Sequence, residues 1–404
     1  MAIRLVPPRS SPNMRFANRF TPALLAGLCL CNIAAAQEAD AGLSPSDEQL
    51  LKEIEASTAA PAPVPAPAAA TSPATFFSNL FNPAMSVNGL LLGSFTSLEN
   101  PLPEQVHTGV RLQEVELQVT ANVDPYLSAN IILAVPDGEG IGVEEGILAL
   151  TARPYGLAIR GGKMKVPFGR ENLLHTHALP FVDKSLIGNA VFGDEGLNEI
   201  GAEASYLVPV PWYLLLTVAG LGGDNAVAFH SPNGRDFLGF AGLKNVFDVT
   251  DDATLEAGMS YAIGNNSDRL TSQVFGGHLV MKWKPNDAAT THSAVVAIEA
   301  LYSRVPKPNT PRGRQTDQYG FYAFAQYQLF QRWYLGGRFD FLQPVGTTTP
   351  VDLRQSAILV FAPTEFSAIR LQGNVTEPGA GGDPIVEAHL QINFTLGAHP
   401  AHAY

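Results

Sequence analysis

Polar and apolar side chains alternate with a period of two in many separate segments of this sequence. The clearest is 385–396, whose polar positions are Glu387, His389, Gln391, Asn393 and Thr395 and whose apolar positions are Val386, Ala388, Leu390, Ile392, Phe394 and Leu396. Because successive side chains of a strand point to opposite faces, this segment predicts a strand with one polar and one apolar face. Nothing helical between the repeats would cover the apolar faces. The pattern therefore predicts a sheet that closes on itself and exposes its apolar face to lipid.

About sixteen segments carry this alternation. We predict strands at 85–97, 110–123, 126–136, 143–152, 157–166, 198–208, 212–222, 236–247, 253–263, 272–284, 292–304, 318–329, 333–343, 351–362, 366–376 and 385–396. Most are 10 to 13 residues long, close to the roughly 9–11 residues with which a tilted strand crosses a bilayer. The predicted fold is all-β, a closed antiparallel transmembrane β-barrel of about 16 strands and of the outer-membrane porin type.

The connections between these strands are long on one side and short on the other. The longer ones are 98–109, 167–197, 223–235, 264–271, 305–317 and 344–350, whereas most of the others have two or three residues, as at 124–125, 154–156, 209–211, 330–332 and 363–365. This asymmetry is typical of an outer-membrane barrel with a periplasmic N-terminus. Tandem soluble sandwiches share the alternation, but they would not explain the loop asymmetry or the absence of a linker within 85–396.

The N-terminal residues predict export. Residues 1–36 combine four arginines with a short apolar run and end in Ala34, Ala35 and Ala36, which is typical of a signal peptide. A membrane anchor is the alternative, but the apolar run is shorter than the roughly 20 residues of a spanning helix. Residues 37–84 predict a periplasmic extension with a proline–alanine linker, and 85–404 form the predicted barrel. A short helix at 44–57 would be a docking or oligomerisation element, or only transient.

Composition narrows the class of protein further. Both cysteines, Cys29 and Cys31, lie in the predicted signal, so the exported chain has no disulfide and no thiolate site. Without the four signal arginines, 21 basic residues remain against 37 acidic ones, and this balance argues against nucleic-acid binding. No later segment approaches 18 consecutive apolar residues, so helical membrane spans are not expected. We expect a protein of the outer membrane of a Gram-negative bacterium.

The longest connection, 167–197, opens with a recognisable motif. Residues 162–171 read GKMKVPFGRE, which resembles the G-x-x-K-x-P-F-[GS]-x-E stretch of the phosphate-selective porin O/P superfamily. The resemblance implies a sixteen-stranded, typically trimeric diffusion channel constricted by its third external loop. It does not extend to phosphate selectivity, because this chain is acidic and has Asp183, Asp194 and Glu195 against Lys184 in that loop.

Candidate pore residues follow from the motif, the loop and the alternation. For the constriction and its mouth we predict Lys163, Lys165, Arg170, Asp183, Lys184, Asp194 and Glu195, and for the pore wall Arg338, Arg354, Arg370, Glu114 and Glu116. The three arginines fall on the polar faces of consecutive strands and should be neighbours. A basic wall facing acidic groups would order water and select small polar solutes. The alternative is that these residues are solvated and only satisfy one another.

Metal and enzyme chemistry have weaker signals. His175 and His177 in the long loop are weak candidates for a metal site with a carboxylate such as Asp183, and we predict no metal and no cofactor. The sequence has no G-x-S-x-G elbow, no H-E-x-x-H and no phosphate-binding glycine loop. An outer-membrane lipase would need a histidine on the apolar face, whereas His278 and His389 fall on the mostly polar faces that are predicted to line the lumen. We therefore predict no enzyme.

The predicted function is passive diffusion of small hydrophilic solutes or ions through a water-filled porin narrowed by its third loop. The alternatives are a substrate-specific channel for a metal ion or a small anion such as phosphate, and a plugged structural barrel without flux. The expected partners are outer-membrane lipid, the solutes themselves and two further copies in a homotrimer.

Overall fold

A computed structural model of the chain describes residues 83–102, 105–136, 138, 140–230, 236–286, 288, 291–308, 317–343 and 351–397. The predicted signal peptide, the predicted helix at 44–57 and the linker lie outside the described residues, as does 398–404. In the described part, no helix is both long enough and apolar enough to cross a membrane.

The described residues form sixteen strands. They are β1 (Ala84–Thr96), β2 (Gly109–Asn122), β3 (Leu127–Pro136), β4 (Gly142–Leu150), β5 (Leu157–Lys165), β6 (Asn198–Leu207), β7 (Tyr213–Leu221), β8 (Leu238–Thr250), β9 (Ala253–Asn265), β10 (Thr271–Trp283), β11 (Ala294–Arg304), β12 (Asp317–Phe330), β13 (Trp333–Gln343), β14 (Asp352–Thr364), β15 (Ser367–Glu377) and β16 (Ile385–Gly397). Each strand pairs with its neighbours in sequence, and β1 pairs with β16 to close the barrel. The predicted strand bounds agree to within three residues.

The β1–β16 pairing is antiparallel and in continuous register from Ser86 opposite Gly397 to Thr96 opposite Glu387. The Asn88 side chain reinforces it by donating to the side-chain oxygens of Asn393 at 3.0 Å and Thr395 at 2.8 Å. With this seam, none of the sixteen described strands lies at a free edge of the sheet. Closure therefore satisfies the backbone N–H and C=O groups without water.

Burial along the strands is the reverse of that in a soluble sheet protein. In β16, His389 and Gln391 are 4% and 0% exposed, whereas Leu390 and Leu396 are 48% and 60% exposed. The polar face is thus turned into the barrel and the apolar face out, as the alternation predicts. A wall of exposed leucine, isoleucine and valine side chains is far larger than the apolar patches that soluble monomers expose.

Aromatic side chains gather at the rim where the short turns lie. They include Tyr126, Tyr155, Trp212, Phe247, Phe330, Trp333 and Phe366, all of them exposed. Trp333 packs on Phe361 with ring centroids 4.6 Å apart, and Trp212 stacks on Phe247 at 6.2 Å. Exposed aromatic rings at strand ends are typical of the level of lipid headgroups.

The short helices all lie in connections. In the described part of the chain, three single 3-10 turns occupy Pro154–Gly156, Glu171–Leu173 and Thr176–Ala178, and one α-helix, α1, spans Leu186–Phe192. The last three belong to residues 167–197, called loop 3 from here on. Loop 3 forms an apolar cluster inside the barrel, in which its Phe168, Phe181, Ile187, Val191 and Phe192 join inward residues such as Phe240, Val274, Leu301, Tyr322 and Phe324.

The β4–β5 pairing is short and depends on a glycine. Only positions 146–149 pair with 160–163, and Gly162, opposite Ile147, has a φ of +129°. A Cβ atom at Gly162 would lie 1.9 Å from the backbone oxygen of Gly146, whereas one at Gly161 would lie 3.4 Å from that of Gly201. The strand that leads into loop 3 therefore requires glycine at position 162, whereas position 161 has room for a larger residue.

We expect Gly162→Ala to lower the free energy of unfolding by at least about 2 kcal/mol, because backbone must move to admit the methyl group. Gly161→Ala is the matched control and should change it by less than about 1 kcal/mol. Denaturant titration of the purified chain in detergent micelles measures both. Equal effects would show that the β4–β5 pairing does not depend on the close approach at Gly162.

Candidate functional site

Loop 3 enters the barrel through a turn at Gly169. The φ of Gly169 is +64°, and a Cβ atom there would lie 1.7 Å from Oε1 of Glu299 on β11. Oε2 of Glu299 accepts the backbone N–H groups of Arg170 and Glu171 at 3.2 and 3.1 Å and the Tyr322 hydroxyl at 2.7 Å. The glycine of the P-F-G motif thus lets the chain approach a carboxylate of the barrel wall closely enough to be held by it.

Helix α1 is fixed at its start by a side-chain cap. The Ser185 hydroxyl accepts the Gly188 N–H at 3.1 Å, and it donates to Oε2 of Glu171 at 2.5 Å. Ile187, Val191 and Phe192 are 0%, 1% and 4% exposed and face the apolar inner wall. A serine cap of this kind stabilises a helix by about 1 kcal/mol, so most of the stability of this short helix comes from its packing.

Three arginines of β13, β14 and β15 hold the middle of loop 3. Arg338 donates to the Asp183 carboxylate at 2.9 Å and to its backbone oxygen at 2.8 Å. Arg354 bonds the same carboxylate at 2.9 Å and the Lys184 carbonyl at 2.6 Å. Arg370 donates to the carbonyls of residues 179 and 177 at 2.9 and 3.1 Å. The structure therefore brings the predicted arginines together, and each of them binds loop 3.

Asp183 is the acceptor on which this cluster converges. Besides the two guanidinium groups, it accepts the amide groups of Gln372 at 2.7 Å and Asn374 at 3.2 Å. Burial alone would raise the pKa of Asp183, but the charges of Arg338 and Arg354 hold it well below its usual range. Asp183 is therefore ionised throughout the physiological range, and with Asp340 it supplies the carboxylates that face Arg338 and Arg354.

On the other side of the β1–β16 seam, loop 3 meets acidic groups of β2 and β4. His175 Nδ1 lies 3.1 Å from Oε1 of Glu144 and 3.5 Å from Oε2 of Glu116, and His177 Nδ1 lies 3.2 Å from the same Glu116 oxygen. The Thr176 hydroxyl donates to Glu114 at 3.1 Å. The suggestion that Asp183 would accompany these histidines is wrong, because the arginines hold Asp183 elsewhere in loop 3.

The remaining constriction candidates are spread out. Lys163 lies opposite Ile200, which is 67% exposed on the outer face, and donates to the Val143 carbonyl at 2.7 Å. Lys165 is buried and pairs with Glu144 at 3.1 Å. Asp194 and Glu195 are exposed in loop 3, and the Lys184 ammonium donates to the Asp194 carbonyl. The structure thus separates Lys163 from the other candidates.

Several inner contacts have little or no sequence signal. Arg160 and Glu203 form a bidentate pair with two 2.8 Å bonds between β5 and β6. Glu256 lies 3.3 Å from Lys244 and 3.1 Å from His278. The Asn225 amide, from the loop after β7, donates to the carbonyls of residues 192 and 196 in loop 3. Alternation identifies the strand residues, but nothing in the sequence identifies their partners.

A relative at the sequence level is known from Aquifex aeolicus. It is 30% identical over 337 residues, which make up 73% of this chain and 70% of the Aquifex protein. This chain belongs to the family of that protein. The relative is described as an uncharacterized protein, so membership of this family does not indicate an activity. No family model matches the sequence.

Solved structures of other proteins are similar to this chain in fold. The anion-selective porin from Comamonas acidovorans matches with a TM-score of 0.55 and 10% identity, over 78% of this chain and 100% of the porin. Vibrio cholerae OmpT in its trimer form matches with a TM-score of 0.50 and 10% identity, over 78% of this chain and 99% of OmpT. The prediction of a 16-stranded porin-like barrel is therefore confirmed at the level of the fold.

The Asp183 cluster gives a direct test of how loop 3 is held. Asp183→Asn removes one of the two carboxylates that Arg338 and Arg354 share, the other being Asp340. We therefore expect the free energy of unfolding to fall by about 3 kcal/mol. Asp194→Asn changes an exposed acid of the same loop and should have an effect within about 0.5 kcal/mol. Denaturant titration in micelles measures both, and equal values would show that Asp183 does not anchor loop 3.

Glu171 gives loop 3 a pH dependence. Burial raises the pKa of Glu171 to about 7, although Ser185 and Arg338 oppose the shift. Since the folded pKa exceeds the ordinary value, the stability that neutral Glu171 contributes is present at low pH and is lost as the pH rises through 7. Glu171→Gln is neutral at every pH and therefore serves as the reference.

We expect the melting temperature of the wild-type chain, relative to Glu171→Gln, to fall between pH 5 and pH 9. Circular dichroism at a series of pH values measures this difference, and titration of other groups cancels between the two proteins. A difference that is constant with pH would contradict the assignment.

Proposed function

We propose that this protein is an outer-membrane channel for passive diffusion of small hydrophilic solutes or ions. The observation that carries the proposal is the reversed burial of the closed barrel, with exposed apolar side chains outside and polar ones inside. Such a surface is stable in lipid and not in water, and such an interior holds water. The export signal predicted at 1–36 and the aromatic rim support a location in the outer membrane of a Gram-negative bacterium.

Loop 3 narrows the lumen in this proposal. Its contacts with β11 to β15 and with β2 and β4 support this position, because they hold the loop to inward-facing groups along most of its length. The solute would pass between loop 3 and the unoccupied part of the inner wall. The narrowing would involve Lys165, Arg170, Asp183, Lys184, Asp194 and Glu195, with Arg338, Arg354, Arg370, Glu114 and Glu116 fixing the loop.

The contacts of the arginines argue for weak cation preference over anion specificity. Arg338, Arg354 and Arg370 all bind carbonyls or the Asp183 carboxylate of loop 3. These contacts occupy guanidinium donors that a passing anion would otherwise use. Asp194 and Glu195 remain exposed on loop 3, where carboxylates favour cations.

We also propose a closer relationship to the phosphate-selective porin O/P superfamily, on the basis of the motif at 162–171. The proposal does not include phosphate selectivity. Assembly as a homotrimer is also proposed, since OmpT is described in a trimer form. The second candidate function is a plugged barrel without flux. The plugged barrel is favoured by the observation that charged wall residues hold loop 3 in place inside the lumen. The same contacts leave the arginines less able to bind a passing anion.

Single-channel recording distinguishes these functions. We expect the purified chain in a planar bilayer to give ohmic steps and, under a KCl gradient, a reversal potential of weak cation preference. Replacing Asp194 by Asn together with Glu195 by Gln should reduce that preference and leave the frequency of insertion unchanged. Glu99→Gln, an exposed acid of another loop, is the matched control and should leave it as in the wild type.

Two results would contradict the proposal. Absence of conductance from protein whose β-sheet circular dichroism shows that it is folded would favour the plugged barrel. Anion preference that phosphate blocks would show that the arginines control passage despite their bonds to loop 3. The reversal potentials of the double variant and of its control then show whether loop 3 or the rest of the barrel determines the ion selectivity.

A further inference from the structure

The inner wall holds a cluster of carboxylates and imidazoles, of which the proposed channel function uses only Glu114 and Glu116, to fix loop 3. Glu114 and Glu116 of β2, Glu144 of β4, and His175 and His177 of loop 3 form it. Two sets of three, one with Glu116, Glu144 and His175 and one with Glu114, Glu116 and His177, have ligand atoms that all lie within 4.8 Å of one another. Glu116 belongs to both sets, so the cluster is continuous.

The spacing of these atoms fits a small tetrahedral cation. Zinc bonds to nitrogen and oxygen ligands of about 2.0–2.1 Å place neighbouring ligand atoms about 3.4 Å apart. His175 Nδ1 lies 3.1 Å from Oε1 of Glu144 and 3.5 Å from Oε2 of Glu116. These separations match two edges of such a tetrahedron before any ligand moves.

Several of these atoms are buried without a hydrogen bond. Within the described part of the chain, Oε2 of Glu116, Oε2 of Glu144 and Nδ1 of His175 have no partner in hydrogen-bond geometry. Glu116 is 3% exposed and Glu144 is 9% exposed. Buried polar atoms of this kind are rare in folded proteins, and an ion is one of the few ways to satisfy them.

The charge of the cluster points the same way. Glu114, Glu116 and Glu144 face two imidazoles, and the neighbouring cation, Lys165, lies 3.1 Å from Oε1 of Glu144. Three carboxylates against one ammonium group leave a negative balance in a largely buried site, and such charges are found paired or bound to metal. A divalent cation would bring this balance to zero.

We propose that Glu116, Glu144 and His175 bind a divalent cation of borderline softness, with Zn²⁺ as the best fit. Imidazole nitrogen favours zinc over magnesium or calcium, which take oxygen ligands. Three protein ligands with water in a fourth position are a common arrangement of open zinc sites. His177 and Glu114 form the adjoining set, into which the cation can shift without leaving Glu116.

The surroundings hold the ligands in place. Arg370 and Asn393 donate to the His177 carbonyl at 3.1 and 3.4 Å, and the Thr176 hydroxyl donates to Glu114. The bound cation would join loop 3 to β2 and β4, on the far side of the β1–β16 seam from the arginines. Binding does not depend on the proposed channel function, whereas any effect of zinc on conductance does.

Calorimetric titration of the full chain in detergent with Zn²⁺, after treatment with a chelator, tests the proposal. We expect one equivalent per barrel, with no comparable binding of Mg²⁺, and a rise in the melting temperature with Zn²⁺ alone. Co²⁺ should bind at the same site and give the visible absorption of a tetrahedral complex. Neither readout involves flux, so a failure here is separate from a failure of the channel proposal.

Single substitutions assign the ligands. His175→Ala should weaken Zn²⁺ binding by more than about 100-fold, since a direct ligand matters at least as much as the groups that orient one. Glu144→Gln, nearly the same in size, should do the same if His175→Ala fails to fold. His278→Ala is the control, because His278 contacts a single carboxylate outside the cluster, and it should leave the affinity unchanged.

Three outcomes would overturn the proposal. The first is wild-type protein that binds no Zn²⁺ in either the calorimetric or the thermal measurement. The second is binding that His175→Ala and Glu144→Gln leave unchanged. The third is equal loss in His278→Ala, which would show that Zn²⁺ binding does not depend on the cluster in particular.

Discussion

The structure depends on the closure of its hydrogen-bonded ladder. Each strand pairs only with its neighbours in sequence, and the last pairs with the first. Because an unpaired strand edge in hydrocarbon would leave many backbone groups without partners, closure is what permits the apolar wall to face lipid. The Asn88 bonds across the seam show that side chains support the same closure from inside the barrel.

Loop 3 is stabilised by a second set of interactions, within the lumen. Apolar side chains of α1 and its flanks pack on the inner wall of β8 to β13, while arginines of β13 to β15 bind the loop's carbonyls and Asp183. Guanidinium groups suit this role because they donate several bonds in a fixed plane. The charged wall residues that the alternation identifies therefore hold the backbone of loop 3 in position. Only charged groups that remain exposed can act on a solute.

Two of the charged groups in the lumen contact loop 3, one on each side of the seam. The arginines with Asp183 lie on one side, and the carboxylates with His175 and His177 lie on the other. In the first group the arginines contact the carboxylates of Asp183 and Asp340 and backbone carbonyls of loop 3. In the second, the carboxylates outnumber the permanent cations, and that imbalance is the physical basis for placing a divalent cation there.

The sequence alone determined the strands, their bounds and the polarity of the two faces. This is because a period of two is a local property of each strand, and one face of each strand meets lipid while the other meets the lumen. It also predicted that Arg338, Arg354 and Arg370 are neighbours, since strands adjacent in sequence pair. Only the tertiary structure decided the partners of loop 3. Asp183 meets Arg338 from 155 positions away, and His175 meets Glu144 rather than the nearby Asp183, because a loop without periodicity carries no signal of which wall residues it will reach.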